Sequence, residues 1–312
     1  MRADRAAALL MERDEFVILT HLRPDGDTLG SAGALCRALW AAGKTAYCAK
    51  NPETTPRYAF LTEGLETPDG FDPKTVVAVD AAGPVLLSED MLAYGKPFMV
   101  IDHHPSNTGY GEHNLVNPDA AAAGEIIFEI ILAMGVTLDR PMAEAIYTSV
   151  ATDTGCFRYS NTTANTHRVA VAAIEAGISV RELNTLIFDT ATKARIEVQK
   201  LYINTMKFYY DDRICVARLT LDMIEQTGAS EDDLDNFAGI TKGILGVDAG
   251  IMLREVGGGK VKLSVRTSQA LDASNICAEF GGGGHARAAG ATITAGIDEV
   301  EKMIVSAAGQ RL

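Results

Sequence analysis

Four short apolar runs rich in β-branched residues, at positions 16–20, 46–49, 75–80 and 98–102, are separated by segments long enough to hold helices. Apolar runs of that length without strict alternation suit strands buried on both faces, as in a parallel sheet. Helical patterns lie between and after them: 28–42 behind Thr28 as N-cap, 121–134, and 141–151 with proline in its first turn. Strands alternating with helices predict an α/β fold whose first half is a doubly wound, mostly parallel sheet covered on both faces.

From position 180 to about 210 the pattern turns mainly helical, and 193–207 contains neither glycine nor proline. Beyond it, 214–219, 249–255 and 260–267 read as strands, with helices at 230–245, 273–280 and 297–308. The chain, 312 residues and 47% hydrophobic, is long enough for two cores. The expectation is a first domain over 1–185, a helical linker over 186–209 and a smaller α/β domain over 210–312.

The net charge of −13, with no Lys/Arg run, argues against a surface that tracks long nucleic acid. Small anions stay compatible with it, because bound divalent cations reverse the local sign of a carboxylate cluster. Cys36, Cys48, Cys156, Cys215 and Cys277 form no C-x-x-C pair, so reduced thiols are expected rather than a disulfide framework or structural zinc. The charged amphipathic N-terminus lacks the apolar run of a signal peptide, and no segment is long enough to span a bilayer, predicting a cytoplasmic protein without membrane contact.

The chemistry-bearing residues gather where the predicted strands end. After the first strand the chain reads His21-Leu-Arg-Pro-Asp25-Gly-Asp27-Thr-Leu-Gly30-Ser31. Ligands of open α/β sheets collect beyond the carboxyl ends of the strands. Gly26 is expected to permit a tight turn, with Asp25 and Asp27 facing the same side of an extended loop. On this motif alone, capping of the following helix explains the two aspartates equally well. Further carboxylates alter that balance. The third strand ends in Asp80, the fourth in Asp102 before His103 and His104, and a helix ends at Asp153, where a negative charge opposes the helix dipole. Uncompensated buried carboxylates are costly, so a cationic partner explains the set better than packing. His21, Asp25, Asp27, Asp80, His103 and Asp153 offer oxygen and imidazole donors that favour Mn²⁺, with Mg²⁺ or Co²⁺ as substitutes. Two such ions about 3.5–4 Å apart can clamp the attacking and leaving oxygens of a displacement at phosphorus.

In order along the chain, H-x-x-P-D-x-D-x-x-G-S, V-A-V-D, D-H-H and T-D-T-G resemble the four motifs of the DHH phosphoesterases. The resemblance implies that one metal takes His21, Asp25 and Asp80, and the second Asp27, Asp80, His103 and Asp153, with Asp80 bridging. It also implies that His104 faces the scissile phosphate while Asp102 orients its neighbours.

The stretch Gly281-Gly-Gly283-Gly284-His285-Ala-Arg287-Ala-Ala-Gly290, with Arg266 upstream, resembles the smaller DHH-associated domain of oligoribonucleases and RecJ-type nucleases. Consecutive glycines expose backbone N–H groups to a phosphate, which Arg266 can fork and His285 can hydrogen-bond. Arg287 is the weaker candidate, with an exposed helix face as its ordinary explanation. Because the chain stops soon after this motif, it looks like the compact bacterial oligoribonucleases, which degrade very short RNA and often hydrolyse adenosine 3′,5′-bisphosphate. The implied partners are short RNA oligonucleotides and small nucleotides, without a track for long nucleic acid, and a homodimer fits the resemblance. Phosphodiesterases of signalling dinucleotides, family-II inorganic pyrophosphatases and a non-catalytic nucleotide sensor are the alternatives; the last predicts a broken ligand set, and no position is missing. His113 and His167 read as ordinary loop or helix-end residues and Trp40 as packing, while Arg158, Tyr159 and Asn161 lie close enough to the fourth motif to line a cleft.

Overall fold

The computed structural model describes residues 1–234 and 236–312 and divides into two compact units, Met1–Thr190 and Ala191–Leu312. In the first, five strands, β1 (Phe16–Leu19), β2 (Ala46–Cys48), β3 (Thr75–Val79), β4 (Met99–Asp102) and β5 (His113–Val116), form a sheet ordered β2-β1-β3-β4-β5, parallel throughout. Helices α1 (Ala3–Met11), α2 (Gly26–Ala41), α3 (Glu89–Leu92), α4 (Ala123–Ala133), α5 (Arg140–Asp153), α6 (Ala164–Glu175) and α7 (Val180–Asn184) complete the unit.

One core joins α1, α2, α4 and α5 to alternate residues of the strands, such as Phe16, Ile18, Val77, Val79, Met99 and Ile101. The intervening residues Val17, Leu19, Val76, Ala78 and Val100 enter a second cluster with Leu87 and Met91. Burial on both faces explains why these strands read as unbroken apolar runs. The order places the chain reversal between β1 and β3, the point at which such sheets open a crevice above the strand ends. The fifth strand escapes the sequence pattern, because His113-Asn-Leu-Val is an edge segment with little apolar signal.

The second unit contains α8 (Lys193–Asn204), β6 (Lys207–Tyr209), β7 (Ile214–Leu219), α9 (Leu221–Thr227), α10 (Phe237–Lys242), β8 (Ala249–Glu255), β9 (Lys260–Thr267), α11 (Ala273–Ala278), β10 (Gly283–His285), β11 (Ala288–Thr294) and α12 (Ile297–Gly309). Its sheet runs β10-β11-β9-β8-β7-β6; only β7 and β8 pair in parallel. Helix α8, expected as part of a linker, is built into this unit: Val198 and Tyr202 are fully buried among Ala217, Leu219, Phe237 and Met252. The helix expected over 230–245 is shorter, leaving α10, and β6, β10 and β11 add strands too short or glycine-rich to show in the pattern.

Candidate metal centre

The six expected ligand positions converge above the carboxyl ends of β1, β3 and β4, although they come from separate stretches of chain. His21 follows β1 by two residues, and the Asn51 amide fixes that loop by donating to Thr20 Oγ1 and His21 O, each at 3.0 Å. His21 Nδ1 lies 2.7 Å from Leu22 O, and its Nε2 is 3.6 Å from both Asp25 Oδ1 and Asp80 Oδ2. His103 Nε2 lies 3.5 Å from Asp80 Oδ1, 3.6 Å from Asp27 Oδ2 and 3.4 Å from Asp153 Oδ2. Asp80 therefore turns one oxygen toward each imidazole.

These separations exceed those of a charge-assisted hydrogen bond, about 2.7–2.9 Å. They fall near the edge lengths, about 3.0–3.4 Å, of an octahedron or tetrahedron of donors with bonds of about 2.1 Å. Two three-donor groups, His21/Asp25/Asp80 and Asp27/His103/Asp153, have the compactness of ion sites. A third, Asp80/His103/His104, shares Asp80 with the first and His103 with the second. Asp80 Oδ1 is buried without a hydrogen-bond partner, the condition of a carboxylate oxygen reserved for a cation. Its backbone stands at φ +54°, a left-handed conformation often found at functional sites.

Crowding of buried carboxylates is felt in their proton affinities. Burial, then the charges of Asp80 and Asp153, push Asp27 well above the carboxylate range. Burial raises Asp153 to about 7, against the opposing charge of His103. Burial alone would lower His21 and His103. Contacts with Asp25 and Asp80 outweigh it and bring His21 to about 11, while Asp80, Asp27 and Asp153 bring His103 to about 10. Asp25 moves the other way: burial raises it, but His21 and the N–H groups of Thr28 and Asp27 bring it below its usual value. His21 and His103 thus hold protons that a divalent cation would replace.

Asp25 also caps α2, accepting the N–H groups of Asp27 at 3.0 Å and Thr28 at 3.1 Å. The cap is Asp25 rather than the expected Thr28, and capping coexists with the approach of the same carboxylate oxygen to His21 Nε2 at 3.6 Å. Gly26 has its role corrected as well. It begins α2 without a left-handed φ, and a Cβ there would come within 2.5 Å of the Thr152 side chain, so glycine permits close approach of α5 instead of a tight turn.

Asp102 is fully buried and holds the next segment. Its Oδ1 accepts the N–H of His103 at 2.7 Å, the N–H of His104 at 3.1 Å and approaches His104 Nδ1 to 2.8 Å. Asn107 Nδ2 donates to Oδ2 at 2.6 Å. The Asp102 contact raises the His104 pKa, with burial opposing, and leaves Nε2 as the ring nitrogen available to a ligand.

In the second unit, His285 pairs with Ala288, which pairs with Arg266. Directly opposed residues share a face, so Arg266 and His285 flank a small alanine on one side of the sheet. Gly283 and Gly284 lie in β10, the latter at φ +143°. The second half of the glycine run is therefore part of a hairpin strand. Arg287 sits exposed in the hairpin turn, not on a helix face.

Comparison with known proteins accounts for both units. The DHH family, N-terminal domain, matches residues 15–150, and the DHHA1 domain matches 211–311. A relative from Thermus thermophilus, the bifunctional oligoribonuclease and PAP phosphatase NrnA, is 34% identical over 303 residues, covering 95% of this chain and 89% of the relative. The chain belongs to the DHH family. It is a phosphoesterase. NrnA of Bacillus subtilis is 25% identical, with 93% of each chain covered. Among solved structures, an exopolyphosphatase-related protein from Bacteroides fragilis superposes with a TM-score of 0.86 at 23% identity, covering 99% of this chain and 96% of that one. RecJ of Thermus thermophilus in complex with Mn²⁺ gives 0.54 at 14% identity, covering 99% of this chain and 55% of that one. These two likenesses concern the fold.

Around the DHH centre the structure adds side chains that motif reading passes over. Asn107 supports Asp102, and Asn161 donates to Asp153 O and Ala121 O, both at 3.1 Å, steadying the end of α5. Arg158 turns back to Gly155 O at 2.6 Å, His167 stacks on Phe157, and Trp40 packs edge-on to Tyr47. Asn161 could be suspected from its closeness to the fourth motif. Asn107 carries no sequence signal, since its partner lies five residues back through a turn.

Proposed function

We propose that this DHH phosphoesterase hydrolyses di- to pentaribonucleotides to mononucleotides and converts adenosine 3′,5′-bisphosphate to AMP and phosphate, using two Mn²⁺ ions. The observation that carries the reading is the near full-length similarity to a protein named oligoribonuclease and PAP phosphatase, alongside an intact set of six donor residues. His21, Asp25 and Asp80 would hold one ion, and Asp27, Asp80, His103 and Asp153 the other. The unpartnered Asp80 oxygen and the spacing of the donors fit such a pair. When bound, the ions supply Lewis acidity that activates water and neutralises charge on the phosphate.

The remaining work falls to the protein. Asp102 holds His104 by Nδ1 and favours its protonated form, so His104 can donate a hydrogen bond, and then a proton, to a phosphate or leaving-group oxygen. Arg266 and His285, with Gly283, Gly284 and, more weakly, Arg287, bind a second phosphate of the substrate. Under this division the first unit, Met1–Thr190, is the catalytic domain and the second, Ala191–Leu312, the substrate-binding domain. A net charge of −13 and the lack of a Lys/Arg run in the sequence favour short strands, because added phosphates gain little from an acidic chain. For its setting we infer the cytoplasm, in keeping with free cysteines and with no helix among the described residues long and apolar enough to cross a membrane. A homodimer is the assembly suggested by the resemblance, and sedimentation tests it.

The decisive assay incubates purified protein and Mn²⁺ with labelled RNAs of graded length, adenosine 3′,5′-bisphosphate, linear and cyclic dinucleotides, and pyrophosphate. Highest kcat/KM on the shortest RNAs, with phosphate release from the bisphosphate and loss of both activities on chelation, is expected. Preference for long strands, or turnover of pyrophosphate alone, would overturn the reading.

A further inference from the structure

Asp27 is 1% exposed and takes four hydrogen bonds from the protein. Ala123 N–H donates to Oδ2 at 2.8 Å. Gly124 N–H at 3.1 Å, the Ser31 hydroxyl at 3.1 Å and the Ser149 hydroxyl at 2.5 Å all donate to Oδ1. Oδ1 is thereby fully engaged, and Oδ2 is the oxygen that approaches His103 Nε2.

Ser149 is the least expected of these donors. Hydroxyls in helices ordinarily bond back to their own helix. Its neighbours do so: Thr148 Oγ1 donates to Glu144 O, Thr152 Oγ1 to Thr148 O and Thr154 Oγ1 to Val150 O. Ser149 instead sends its hydroxyl from α5 across to α2, 122 residues away in sequence. The packing is arranged to allow it. A Cβ on Gly30 would lie 2.4 Å from Ala145 O, and one on Gly124 would lie 1.9 Å from Ser149 Oγ, so glycines open the two helix contacts that meet at this hydroxyl.

We propose that Ser149, assisted by Ser31, is a positioning residue that locks the Asp27 carboxylate so that Oδ2 faces the metal, setting the affinity of one of the two ions. The inference rests on the reading of Asp27 as a ligand. Both serines are fully buried and are not among the six ligand positions; they act by holding one oxygen so that the other cannot rotate away. Residues that orient a metal ligand typically change affinity by about 10- to 100-fold when removed.

Calorimetric Mn²⁺ titration of the full chain and of Ser149→Ala, with melting curves of both metal-free proteins, tests this. The expected result is two sites in the parent and, in the variant, one weakened by roughly tenfold or more with the other little changed. Ser31→Ala should show the same selectivity to a smaller degree, and it carries the test should Ser149→Ala fail to fold. A folded Ser149→Ala protein with both affinities unchanged, or with both weakened equally, overturns the inference. A parent chain that binds no Mn²⁺ overturns the two-metal reading itself and the inference with it.

Discussion

Replacing Asp102 by asparagine separates the support of His104 from the metal ligands. The carboxylate accepts on both oxygens: Oδ1 from two backbone N–H groups and His104 Nδ1, Oδ2 from Asn107 Nδ2. An amide has one accepting oxygen, so one side of the substituted group must set its NH₂ against an existing donor. Asn107 cannot simply rotate, because its Oδ1 accepts Gly109 N–H at 2.7 Å. An unsatisfied buried polar pair costs about 1–3 kcal/mol, which for a domain of this size lowers Tm by roughly 2–12 °C. Loss of a hydrogen bond to a charged group, about 1.5–3 kcal/mol, corresponds to roughly a 10- to 160-fold drop in kcat/KM. The sign with pH follows from the direction of the shift. Asp102 raises the His104 pKa, so its neutralisation lowers that pKa and moves the alkaline limb of kcat to lower pH. Pairing pH–rate profiles on a diribonucleotide with Mn²⁺ titration should reveal that displaced limb and two retained metal sites. An unmoved limb in a folded, two-metal variant would refute the assignment of His104 as proton donor.

Mn²⁺ binding should release protons at about pH 7.5, because His21 and His103 stay protonated up to about 11 and 10 in the metal-free chain and must lose those protons to bind a cation. Apparent affinity should then rise with pH across this window; titrations in buffers of different ionisation enthalpy that show no proton release would contradict it. Arg266→Ala should raise KM for a dinucleotide more than it lowers kcat while leaving Mn²⁺ stoichiometry intact, and weakened metal binding would argue against a substrate role. Gly30→Ala forces a methyl to within 2.4 Å of Ala145 O. Overpacking of that kind costs about 1–3 kcal/mol, and an unchanged melting temperature would show that the α2–α5 contact yields freely.

The sequence by itself determined the parallel sheet of the first unit. Burial on both faces leaves long apolar runs at β1, β3 and β4, and periodicity reports burial directly. It also displayed the donor residues, because their types and their positions at strand ends are local facts: His21 after β1, Asp80 after β3, His103 after β4. What only the tertiary structure decided depends on distant partners. Asp25 is a cap that also faces His21, so capping and a place in the acidic cluster do not exclude each other. Gly26 and Gly30 are glycines because α5 comes close, a cause lying more than a hundred residues away. Gly283 and Gly284 became part of a strand because β11 pairs with them, even though glycine has little strand propensity of its own. Ser149, ordinary in sequence, owes its hydrogen bond to the meeting of α2, α4 and α5. Local patterns encode what each residue is suited to do, whereas the long-range packing of helices decides which group it does it to.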